Sequence, residues 1–142
     1  MPLRNCPFLD CGGQYRAVVP VRIINPHTGK HLNTLGIIDT GADECAIPAQ
    51  MAPILGHNLQ AGITKTISTG NGRTAAYSHT TRFEIFHPGT GQLAYTIDDT
   101  PIDFLPNLNV VLLGVNSFLS RFVLSIDYPN KIFSISNSTQ QT

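Results

Sequence analysis

The chain has 142 residues, a formal net charge of zero and only 13% charged residues. With no cluster of Lys and Arg it lacks the electrostatic footprint of a nucleic-acid binder, and no apolar run approaches the roughly 20 residues that span a membrane. One domain is expected at this length, and a charge content well below the usual quarter or so points to surface hidden against a partner, a copy of the chain itself being the simplest.

Residues 1–14 read as an irregular N-terminal segment with Pro, Cys and Gly-Gly, too short and too broken to be a signal peptide; the chain reads as cytoplasmic. "YRAVVPVRIIN" alternates as a strand with Val19, Val21 and Ile23 on one face. "PHTGK" is a turn and "LNTLGIID" a second strand. "PAQMAPILG" is apolar, but Pro48 and Pro53 allow at most a short helical turn. "ITKTISTGNGRTAAYSHTTRFEIF" reads as a long hairpin, with Gly70, Asn71 and Gly72 supplying the positive φ that a tight turn needs. "HPGTGQ" is another turn, followed by the strand "LAYTID". "NVVLLG" is the continuous apolar run of a strand buried on both faces, and "VNSFLSRF" predicts one short helix capped by Asn116 or Ser117. "FVLSIDYPNKIFSIS" closes the chain as a hairpin, in which Asp127 reads as a turn residue, and residues 137–142 form a polar tail. Regularly spaced short strands with one short helix predict a mostly-β barrel or sandwich.

Three cysteines, Cys6, Cys11 and Cys45, are a poor disulfide framework. Cys6 and Cys11 could pair or share a metal, but C-x4-C without a second ligand pair is a weak zinc signal, and free thiols are expected. The five histidines, at 27, 31, 57, 79 and 87, have no metal-ligand spacing. No metal and no cofactor is expected.

The stretch with chemical content is "NTLGIIDTGADECAIP", where Asp39-Thr40-Gly41 directly follows an apolar run. A charge at the end of a hydrophobic strand is costly to bury. Taken alone, Asp-Thr-Gly is a weak signal, equally a strand ending in an Asx-type turn. Its context is Ile37-Ile38 before it, Ala42 and Asp43 after it, and Leu112-Leu113-Gly114 followed by Asn116 to Phe122 about 70 residues further on.

This pattern, over roughly residues 15–136, resembles the retropepsin-like aspartic proteases, the family of the retroviral proteases and their cellular and bacterial relatives. The resemblance implies a closed β-barrel lobe with one short C-terminal helix, occupying residues 15–136. It implies that Asp39 is a catalytic carboxylate, that Thr40 ties two active-site loops together, and that Gly41 lets the backbone approach substrate closely. Ala42 and Asp43 would line the substrate cleft, Leu113 and Gly114 would pack under the loop, and the hairpin around Gly70, Asn71 and Gly72 would be a flap closing over an extended peptide. An aspartic protease needs two carboxylates sharing a proton, and this chain has a single Asp-Thr-Gly; in "IDDTPID", Pro101 stands where the glycine would be. The second carboxylate would come from Asp39 of a second subunit.

In retroviral members a basic residue often follows the Leu-Gly and pairs with the acidic residue after Asp-Thr-Gly-Ala; here Val115 stands there, which leaves the role of Asp43 open. Cys45 reads as a small buried residue rather than a nucleophile. Tyr77 and His79 read either as substrate contacts or as solvent-facing residues. Two functions follow: a homodimeric aspartic endopeptidase acting on peptide or protein, or a non-catalytic peptide-binding or dimerisation module of the same fold.

Overall fold

The computed structural model describes residues 2–69 and 72–138. Among them are the strands β1 (Leu3–Pro7), β2 (Leu9–Asp10), β3 (Tyr15–Arg16), β4 (Val18–Ile24), β5 (His31–Ile38), β6 (Ala46–Pro48), β7 (Ile63–Thr69), β8 (Gly72–Phe86), β9 (Leu93–Leu105), β10 (Val111–Leu113), β11 (Phe122–Asp127) and β12 (Ile132–Asn137). No helix among the described residues is long and apolar enough to cross a membrane.

The alternation read in β4 sets the core. Val19, Val21 and Ile23 point inward, as do Phe83 and Ile85 of β8, Ile102 and Phe104 of β9, and Val111 and Leu113 of β10, each nearly or wholly excluded from solvent. β4 pairs antiparallel with β5, and β5 runs parallel to β10 in the register Gly36↔Val111 to Ile38↔Leu113. Gly36 has a packing reason: a Cβ there would stand 3.0 Å from the Leu113 side chain. β10 pairs with β6, β6 runs parallel to β9, and β9 pairs with β8. One edge of β8 serves two partners: its first half pairs with β7 and its second half with β4, Val21↔Ile85 to Ile24↔Arg82. The ladder that starts at β4 therefore returns to β4, with β7 standing outside the ring. A separate three-stranded sheet, β1-β12-β11, packs Leu3, Cys6, Phe133 and Ile135 into the same core.

The predicted short helix is not formed. Residues 115–118 make a turn that ends in a single 3-10 turn, Leu119–Arg121. The first amides of the segment, which find no partner inside a helix in any case, tie it to the Asp39 loop: Val115 donates to the Ala42 carbonyl (2.9 Å) and Asn116 to the Asp43 carbonyl (2.8 Å). The next amides reach back five residues, Leu119 to Gly114 (3.0 Å) and Ser120 to Val115 (2.8 Å), a wider turn than the α-helix. The expected caps are diverted too, since the side chains of Asn116 and Ser117 donate to the Glu44 carboxylate (2.8 and 3.1 Å).

The N-terminal segment, read as irregular, holds β1 and β2. β1 pairs with β12 through Leu3↔Ile135 and Cys6↔Phe133, with an irregularity between them where Asn5 takes φ +50. That interruption spaces the buried residues Leu3 and Cys6 three apart and hides the period of two. Two further elements went unread: β6, three buried residues ending in a proline, and the second half of β9, which runs through Pro101. Pro101 lies opposite Thr80 of β8, while β6 joins β9 only from Asp103 onward.

Candidate functional site

The carboxylate of Asp39 stands where β5 ends, half-buried. Its amide donates to the Leu113 carbonyl (3.1 Å), which continues the parallel ladder by one bond. Gly41 donates its amide to Asp39 Oδ1 (2.9 Å), and Ala42 donates to the Asp39 carbonyl (3.3 Å). This is the geometry of an Asx-type turn, so the structural explanation of Asp-Thr-Gly holds locally. It does not compete with a chemical role, because the same bonds aim the carboxylate and leave Oδ2 without a partner among the described residues. Thr40 is exposed beside it. A Cβ at Gly41 would lie 3.3 Å from Asp39 Oδ1, a tight contact that would press on the carboxylate.

The loop is held from beneath by the turn after β10. Val115 and Asn116 bond to the Ala42 and Asp43 carbonyls, and the Gly114 amide donates to Cys45 Sγ (3.4 Å). Gly114 itself lies flat against the loop, and a Cβ there would collide with the Glu44 carbonyl. Glu44 completes the tie through Asn116 and Ser117. Burial pushes the Cys45 thiol up to about 11, with the Glu44 charge adding to that and the Gly114 amide opposing it. Cys45 is thus a neutral buried thiol at ordinary pH and no nucleophile. All three cysteines are unpaired, Cys6 and Cys45 buried and Cys11 exposed.

A cleft of about 320 Å³ opens beside the loop. Gly41, Ala42 and Asp43 form one wall, Lys65, Ile67 and Ser68 of β7 the other, and Ala46, Leu105 and Leu112 an apolar floor. Asp103 closes one end, 9% exposed, with Lys65 Nζ 3.1 Å from its carboxylate. A larger, more polar cavity of about 430 Å³ lies on the far side of Glu44, lined by Tyr95, Asp98, Asp99 and Arg121 among others. The smaller one is where the loop and the hairpin meet.

Of the predicted residues, the structure therefore brings Gly41, Ala42 and Asp43 to the cleft, with Asp39 and Thr40 next to it. Asp43 is exposed and has no ion-pair partner among the described residues. Gly72 opens β8 with φ +107, a conformation that favours glycine; Gly70 and Asn71 lie outside the described residues. Tyr77 and His79 lie outside the cleft lining and are half-buried: Tyr77 packs against the core, and the His79 ring stacks on His57 and meets Phe104 edge-on. Sequence reasoning missed Glu44, Lys65, Asp103, Leu105 and Leu112. They come from four separate parts of the chain; Glu44, next to the Asp39 motif, and Leu112, inside the Leu-Leu-Gly motif, offered a signal, but nothing local marked either as a cleft residue.

No protein-family model and no curated protein matches the sequence. Among solved structures the chain is similar to a retropepsin-like aspartic protease from Rickettsia conorii, with a TM-score of 0.61 and 20% identity, covering 91% of this chain and 86% of that one. It is also similar to the EIAV protease in complex with an inhibitor, with a TM-score of 0.45 and 18% identity, covering 79% of this chain and 93% of that one. The first likeness shows the fold, and the second is too loose to carry an argument.

Proposed function

We propose, from the premise that this chain has the retropepsin-like fold, that it is an aspartic endopeptidase whose active site is completed by a second copy of itself. The observation that carries the reading is the Asp39 loop: a carboxylate aimed by the Gly41 amide, fastened underneath by Gly114, Val115 and Asn116, and set beside a cleft roofed by a hairpin strand. In this reading the domain spans residues 15–136, with β1 docked on its closing hairpin, and the returning ladder is the closed barrel lobe.

Two Asp39 side chains, one from each subunit, face each other across the two-fold axis. Like charges held that close do not both ionise, so they share one proton. The ionised carboxylate takes a proton from a bound water as that water attacks the scissile carbonyl, and the protonated one hydrogen-bonds the carbonyl oxygen. No covalent acyl-enzyme forms. Thr40 links the two loops, Ala42 and Asp43 hold the substrate backbone, and the hairpin tip at Gly70, Asn71 and Gly72 closes over it.

The test is cleavage of a diverse peptide library by wild type and Asp39→Asn between about pH 4 and pH 7, the range for a carboxylate pair sharing a proton. Asp39→Asn is near-isosteric, and we expect the rate to fall by at least about a hundredfold with the fold unchanged by circular dichroism. Equal cleavage by both proteins sinks the reading. Cleavage by neither, with intact fold and a dimer in solution, favours the non-catalytic binding module.

A further inference from the structure

Away from the Asp39 loop, the fold holds a cluster of titratable rings for which the proposed chemistry has no use. His57 lies in the segment leading into β7, and His79 lies on β8. Their rings stack with centroids 4.5 Å apart, and Phe104 of β9 meets both edge-on at 5.5 and 5.3 Å. The neighbours decide where the protons sit. Asn25 Oδ1 accepts the His27 amide (2.9 Å), so its amide nitrogen is the group that donates to the Leu55 carbonyl (2.8 Å) and faces His57 Nδ1 (3.4 Å). His57 Nδ1 is therefore the acceptor and its proton is on Nε2, an atom buried with no partner among the described residues. On the other ring, His79 Nε2 donates to the Leu59 carbonyl (2.9 Å), just ahead of β7. Gly62 sits directly on that ring: a Cβ there would stand 2.7 Å from His79 Nε2 and 2.5 Å from the Ser78 carbonyl.

A proton added to His57 is unwelcome for three reasons. The ring is half-buried, and its Nε2, one of the two atoms that would carry the charge, is kept from water. Its new N–H points at the N–H of Asn25, donor against donor. Its charge lies beside His79 and near His27. Burial, then His79, then His27 hold His57 below the ordinary histidine value of 6.5. The titratable groups that act on His57 are His79 from β8 and His27 from the β4–β5 turn, and the Lys30 stem of that turn lies where a Cβ on Gly56 would stand 3.2 Å from it. No carboxylate pairs with either ring among the described residues.

We propose that the His57–His79 stack is a pH-sensitive catch on the β7–β8 hairpin, holding residues 57–62 and β7 in place while His57 is neutral and releasing them when it is protonated. Opening returns the ring to water and to its ordinary affinity for protons. Acid therefore favours the open form, by up to about tenfold per pH unit for one proton. The regulatory meaning, a flap that loosens in acid, rests on the peptidase reading; the catch itself does not.

Hydrogen–deuterium exchange of the full chain, corrected for the intrinsic pH dependence of amide exchange, tests it. Peptides covering residues 57–68 are expected to lose protection between pH 7 and pH 5.5, by up to about tenfold, while β10 does not. His57→Asn keeps an acceptor for Asn25 and does not titrate, and is expected to remove the pH step; His79→Gln keeps a donor to Leu59 but removes the stacked ring and its charge, and is expected to shrink the step. Equal protection of the wild type at both pH values overturns the proposal, as does a step that persists in His57→Asn. Should either variant fold poorly, the wild-type ring is titrated by NMR, where a His57 midpoint at or above 6.5 also overturns it. Exchange requires no catalysis, so an inert Asp39 site leaves a positive result standing, and a failed catch leaves the peptidase reading untouched.

Discussion

Gly114 and Cys45 show how closely the Asp39 loop is fitted to its support. The backbone of residues 42–45 lies so near Gly114 that a single added methyl meets the Glu44 carbonyl. Gly114→Ala is expected to destabilise the fold by about 1–3 kcal/mol, measured as a lower urea midpoint, and to reduce any Asp39-dependent cleavage by more than the stability loss explains, because the bonds from residues 115 and 116 flank it. Cys45, held protonated by burial, should resist a thiol-alkylating reagent at neutral pH, while exposed Cys11 reacts first. Mass spectrometry after brief labelling reads the order, and early modification of Cys45 in folded protein would contradict this account of the loop.

Between elements, one ion pair spans three strands. Lys65 of β7 reaches over Ala76 of β8 to Asp103 of β9, and Asp103 is the buried member. Lys65→Met leaves that carboxylate uncompensated and should cost about 1–2 kcal/mol, since the lysine is half exposed and the full buried-pair penalty does not apply. Asp103→Leu in the same chain should restore part of the loss, and a double-mutant cycle by chemical denaturation measures the coupling. At the other end of the molecule, the Asp127 carboxylate accepts from the side chain (2.8 Å) and the amide (3.1 Å) of Asn130, and these bonds hold it below the usual carboxylate value. A depressed carboxylate stabilises the fold above its unfolded value and ceases to do so as the pH falls through the folded one. The contribution of the β11–β12 turn is therefore lost only in acid, below about pH 4, whereas His57 begins to act as the pH falls below the ordinary histidine value. Asp127→Asn should lower thermal stability at pH 6, and by less as the pH falls below about 4.

For the molecule as a whole, the single Asp-Thr-Gly makes assembly the decisive matter. If two Asp39 carboxylates form one site, wild type mixed with a ninefold excess of Asp39→Asn should lose about tenfold in activity per wild-type chain once subunits exchange, because nearly every wild-type chain then pairs with a carboxamide. Activity unaffected by the excess would mean that one chain suffices. Three of the molecule's features were open to reading along the chain: the alternation of β4, the hairpin from Ile63 to Phe86, and the Asp39 motif at the end of an apolar strand. Period-two burial, turn glycines and a carboxylate before Thr-Gly are properties of neighbouring residues, and neighbours are what a sequence displays. The strand character of β1 depends on Ile135 and Phe133, that of β6 on Leu112 and Asp103, and the segment read as a helix is instead tied through its first amides to the carbonyls of residues 42 and 43 and closes in a wider turn. The cleft floor and the His57–His79 stack likewise join residues tens of positions apart. Local pattern thus determined the strands with regular alternation, the hairpin and the motif; hydrogen bonds and burial between distant segments decided the irregular strands β1 and β6, how the loop is held, what lines the cleft beside it, and which rings meet at the root of the hairpin.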